Sequence, residues 1–148
     1  MNPPPLRNRD MKKPIIIKLE DHIYGGFITV VIGSWSDYAK EAKKRYKGNF
    51  DLPYPEEGSP ETEAMGGYHG MMFLLKKGFD PLNDNMIWVN GKHNKVTVIA
   101  CLAHELLHAG LTLMEMIGVD TTKSTGNQET ITYWHTWALR ECLNKMEL

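Results

Sequence analysis

The sequence is poor in cysteine: Cys101 and Cys142 are the only two in 148 residues, so no disulfide framework is available to staple the chain. Both fall in stretches of helical pattern, where the residue type favours burial as free thiols in a reducing compartment. Neither sign of charge is in excess, because 17 Lys and Arg face 18 Asp and Glu. That balance offers no basic field to nucleic-acid phosphates or anionic lipid, and neither nucleic acid nor membrane is an expected partner. No apolar stretch reads as reaching the ~18 residues of a membrane span. The opening MNPPPLRNRDMKKP is proline-rich and basic, without the apolar centre of a signal peptide. Together these absences point to a soluble, cytoplasmic protein. There is no internal repeat and no composition shift that marks a second domain.

What is present reads as an α+β chain. Residues 1–13, with three consecutive prolines, form a flexible tail, and 14–148 form a single domain. Ile15 to Leu19 and Phe27 to Ile32 are β-branched runs joined by a Gly25-Gly26 turn, a hairpin pattern. Ser34 or Ser36 can cap a helix from Asp37 to Lys47, whose lysines read as a solvated face. Residues 49–67, with Pro53, Pro55 and Pro60, read as an irregular connection. GYHGMMFLLKK and MIWVN then read as strands, and two helices follow, from Lys95 to Ile117 and from Gln128 to Lys145.

The first of these helices contains His104-Glu105-Leu106-Leu107-His108. Each residue turns a helix by about 100°, so His108 lies about 40° and Glu105 about 100° from His104. The residues around them are apolar in nearly every direction, and His104, Glu105, His108, Thr112 and Glu115 form one polar stripe within about 100° of arc. Burying that stripe unpaired would cost several kcal/mol, so it must face a cavity, a partner or a metal. Two imidazoles one turn apart can reach one Zn²⁺ at about 2.0 to 2.1 Å, while the glutamate beside them addresses a water as general base. With six histidines in the chain, an HExxH by chance is a ~2% event, which sets coincidence aside. In a chain of this size, which does not need a metal for stability, a bound metal would be functional rather than structural.

A catalytic zinc needs a third protein ligand and an open position. The metzincin spacing would put a histidine where Met114 stands, so that branch fails. Glu115 shares the stripe but sits about 10 Å along the axis from His108. Asp120, just past the helix, could fold back as a ligand. Glu129, early in the next helix, is the stronger candidate, because an antiparallel return brings it alongside. Tyr133 is one turn away on the same face, placed to hydrogen-bond an oxyanion or to serve as an ordinary interface tyrosine. His135, about 240° from Glu129, is left outside the site. His69 reads as a loop or strand residue, and His22 and His93 as turn residues.

His104-Glu105-x-x-His108, Gly118, a loop and then Glu129-x-x-x-Tyr133 resemble the gluzincin metallopeptidases, in particular the single-domain minigluzincins and small HExxH proteins of bacteriophages and prophages. The resemblance covers residues from about Met86 to the C-terminus, and the N-terminal part more loosely. It implies a zincin-like domain, a small mixed sheet packed on an active-site helix and a C-terminal helix. It also implies His104, His108 and Glu129 as zinc ligands, Glu105 as base, and MIWVN as a sheet edge that binds an extended peptide. Tyr133 stands where many gluzincins have an aspartate supporting a histidine ligand.

Two functions follow as expectations. One is a zinc-dependent peptidase acting on a peptide or protein substrate with Glu105 as general base. The other is a catalytically silent zincin-fold protein, phage-encoded in this reading, that acts by occupying a host partner.

Overall fold

The computed structural model describes residues 13–46, 66–68, 85–122 and 125–146. The first hairpin forms as its pattern demands, with strands β1 (Ile15–Glu20) and β2 (Phe27–Gly33) antiparallel, Ile17 opposite Val30. Its turn carries Gly25 and Gly26 at φ of 78° and 93°, a left-handed region that costs glycine little. Asp21 organises the same turn: its Oδ1 accepts from the backbone N–H groups of Ile23 and Tyr24.

Helix α1 (Trp35–Tyr46) starts on a reciprocal cap in which Ser34 Oγ accepts from Asp37 N and Asp37 Oδ2 accepts from Ser34 N. The cap is therefore Ser34 and the helix begins earlier than Asp37. Trp35, Tyr38 and Ala42 form its buried stripe and meet Val31, Met86 and Trp88 on one face of the sheet. Trp88 stands edge-on to Trp35 at 5.0 Å, and its indole N–H donates to the carbonyl of Gly33.

The sheet is mixed, with order β1-β2-β4-β3, where β3 is the short Gly66–Tyr68 and β4 is Asn85–Asn90. β4 pairs parallel to β2 and antiparallel to β3. MIWVN is thus an interior strand, not the edge the resemblance implied. The reason is visible in its composition: a strand paired on both sides and covered on both faces reads as a continuous apolar run, and all six positions of β4 are buried. The strand expected from Gly67 to Lys77 is described only as far as Tyr68, and the rest of it lies outside the described residues.

The other face of the sheet carries α2 (Lys95–Met116) and α3 (Thr125–Lys145). Asn94 caps α2 through Thr97 N. Gly118, at φ 80°, ends it: Val119 N bonds Met114 O and Gly118 N bonds Glu115 O, the paired closure of a helix stop. α3 begins three residues before the expected Gln128. Among the described residues α2 is also long and apolar enough to cross a membrane, contrary to the expectation that no stretch is, and half of it is buried in the protein. Its apolarity comes from serving as the central core helix: Val98, Leu102, Leu106, Ala109 and Leu113 pack against Val30, Ile32, Ile87 and Val89 of the sheet.

α2 and α3 come close at Gly110, where an added Cβ would lie 2.5 Å from Ile131 Cδ1 and 2.7 Å from Trp134 Cε3. The indole cannot give way easily, because its N–H donates to the buried Asp21 Oδ2 at 2.8 Å. Replacement of Gly110 by Ala gains about 1 kcal/mol of helix propensity and loses more to overpacking. We expect G110A to destabilise the fold by a net of about 1 to 2 kcal/mol in urea unfolding; an unchanged or raised midpoint would show that the crossing is loose.

Candidate metal centre

α2 brings its two histidines to one point. His104 and His108 both lie on the exposed side of the helix, with Nε2 atoms 3.1 Å apart and rings at 78° with centroids 4.7 Å apart. Two nitrogens at that separation, each about 2.05 Å from a shared ion, subtend about 100° at it, close to a tetrahedral angle. As neutral imidazoles the two can share a hydrogen bond, one ring donating and the other accepting. The pair therefore fits a divalent metal and is also satisfied without one.

Glu105 does not share their exposure. Only 7% of it is accessible, and the polar stripe of the sequence divides into exposed His104, His108 and Glu115 and buried Glu105 and Thr112. Burial lifts the Glu105 carboxyl above its ordinary range, while the charges of His104 and His108 pull it back. A carboxylate with raised proton affinity is what a general base requires. One turn earlier, burial and then the charge of Glu105 push the Cys101 thiol up to about 11. Burial, chiefly, pushes Cys142 up to about 12. Both are buried free thiols, as their setting in the helices suggested, and neither is poised as a thiolate ligand.

The remaining candidates are placed differently from expectation. α3 turns Ile131, Trp134, Ala138 and Cys142 inward, and Glu129 is about 160° round from Ile131. Glu129 is exposed, and Tyr133, on the same outer side, is 73% exposed. Asp120 builds the turn after α2: its Oδ1 accepts from Thr122 N and Thr122 Oγ1, and its carbonyl accepts from Asn127 Nδ2. With Leu111, Glu115 and Val119 it lines a cavity of about 470 Å³ beyond the histidines. Among the described residues, no three His, Cys, Asp or Glu side chains gather into a group that could hold a metal. The structure thus brings His104 and His108 together, sets Glu105 near enough to feel both charges but on a buried side of the helix, and leaves Glu129 and Tyr133 on the exposed side of α3 and Asp120 in the turn after α2.

No family model, curated protein or solved structure matches the chain. The site is therefore read from its own geometry. Sequence reasoning set His135 aside, yet its ring faces α2, with Nε2 2.8 Å from the carbonyl oxygen of Ala103. The apolar series Ile131, Trp134, Ala138 marks the inward face of α3, and His135, about 40° from Ile131, falls on it. His93 is half-buried rather than solvated, its Nε2 enclosed and without a hydrogen-bond partner among the described residues. His22 is an exposed turn residue, and His69 lies outside the described residues.

For a metal held by this pair, we expect the full-length chain to bind zinc and each of H104A and H108A to weaken binding by at least about 100-fold in competition with a chromophoric chelator. Equal affinity in the wild type and either variant would remove the pair from any metal site.

Proposed function

We propose that the chain is a zinc-dependent peptidase of zincin type. The observation that carries this reading is the convergence of His104 and His108 Nε2 atoms to 3.1 Å on one helix, with the buried carboxyl of Glu105 between them in sequence. His104 and His108 would hold the metal. Bound there, zinc supplies a Lewis acid that lowers the pKa of a water toward ~7 and polarises a carbonyl. Glu105 takes the proton of the attacking water and returns it to the leaving amine, and its burial favours the protonated intermediate stage of that relay.

In this reading a peptide would pair with β3, the end strand of the sheet among the described residues, which packs against α2; an extended segment added there would run past the helix that carries the histidines. Such pairing recognises main chain and makes little demand on side chains. In this respect β3 takes the role that the resemblance gave to β4.

The decisive experiment is Glu105→Gln in the zinc-loaded full chain, assayed on a mixture of unstructured peptides by mass spectrometry. Cleavage should fall by about 10² to 10⁴-fold while zinc stays bound. Undiminished cleavage would sink the mechanism. Zinc binding without cleavage in the wild type would favour the catalytically silent protein that occupies a partner.

A further inference from the structure

A catalytic zinc takes three protein ligands and an open position. Among the described residues no third His, Cys, Asp or Glu joins His104 and His108 in a metal-binding group. His135 does not supply one, because its ring is held to the carbonyl of Ala103, about 100° round α2 from His104. Glu105 is buried, and Glu129 is exposed on α3. As described, one chain offers a metal half of a coordination shell.

The half that is present is well formed. Nitrogens 3.1 Å apart take two corners of a tetrahedron around an ion, and because both rings are exposed the other two corners face away from the helix. A second copy of the chain carries the same pair at the same separation. A two-fold axis through the ion sets one pair opposite the other, and such symmetric pairing is the commonest assembly of soluble chains. The surroundings of the pair suit a copy. Val96, Leu107 and Leu111, 76%, 43% and 39% exposed, lie about 80°, 60° and 20° to one side of His104, and His108 about 40° to the other. Apolar and ligating side chains therefore share one strip, with Glu115 about 10 Å along the axis beyond His108. A net charge of -1 per chain sets little repulsion between copies.

We infer that His104 and His108 are half of an intermolecular metal site, which a second copy of the chain completes with its own pair to place four imidazoles on one zinc. The inference goes beyond the peptidase reading and takes from it only the histidine pair. Four protein ligands leave no position open for water. The linked form is therefore an assembly, distinct from the open site that hydrolysis needs.

The test is a zinc titration of the full-length chain, followed by sedimentation velocity and native mass spectrometry and joined to zinc K-edge absorption. A monomer is expected in chelator, and a dimer carrying one zinc with imidazole ligands alone at half an equivalent. Because two chains share the ion, a tenfold rise in chain concentration should lower the free zinc needed for half-saturation by about tenfold. H104A and H108A should stay monomeric at the same zinc. One zinc per monomeric chain, at an affinity independent of chain concentration, overturns the shared site and leaves the peptidase reading standing. A dimer that persists in chelator or in both variants also overturns the shared site. A wild type that binds no zinc overturns both readings. The wild-type titration decides the matter even if a variant does not fold.

Discussion

The fold depends on one buried contact, the indole of Trp134 held between Gly110 of α2 and the carboxylate of Asp21. Asp21 is 4% exposed and spends its two oxygens on different tasks. Oδ1 closes the hairpin turn, and Oδ2 receives the Trp134 N–H from 113 residues away. A buried carboxylate needs such donors, because leaving one oxygen unsatisfied costs about 1 to 3 kcal/mol or more. The bond therefore fixes α3 against β1 and β2, and the absence of a side chain at Gly110 lets the same indole lie flush on α2. Hairpin, central helix and C-terminal helix are locked through one residue.

That lock determines the candidate site at a distance. Once Trp134 sits at Gly110, the rotation and axial position of α3 are set. His135 must then meet the turn at Ala103, and Glu129 and Tyr133 must face outward. The placement of the histidine pair needs no such help: residues four apart on a helix are neighbours wherever the helix lies. The histidine pair is thus local to α2, whereas what α3 presents beside it is a product of tertiary packing.

The same division explains what could be read from the sequence. The hairpin, the helix stop at Gly118, the burial of both thiols and the shared face of His104 and His108 all rest on local periodicity and turn chemistry, and they were legible. The face of α3 was misjudged because Glu129 was taken as the reference direction. The series Ile131, Trp134, Ala138, Cys142 was available in the sequence and names the packing face, and measured from it His135 turns inward. The edge strand was misjudged in a similar way. Met86-Ile87-Trp88-Val89 has no polar alternation, which is the mark of a strand covered on both faces, whereas Gly66–Tyr68 is too short and too glycine-rich to announce itself as a strand by propensity.

The exposure of the histidines and the burial of Glu105 are two consequences of a single helix rotation. Around α2, among the described residues, the sheet covers one side and α3 a second; His104 and His108 fall in the remaining arc, where they are exposed, and Glu105, about 100° from His104, falls at the sheet-side margin. Ring nitrogens in that exposed arc are reachable from solvent. A carboxyl at the margin loses water without losing its neighbours, and desolvation raises its proton affinity while the imidazoles limit the rise. Rotating the helix to expose Glu105 would turn His104 toward the α3 side, where Ile131 and Trp134 already crowd Gly110. The apolar residues of α2 thus do more than fill the core: they set the angle at which the two imidazoles meet solvent and the Glu105 carboxyl is withdrawn from it.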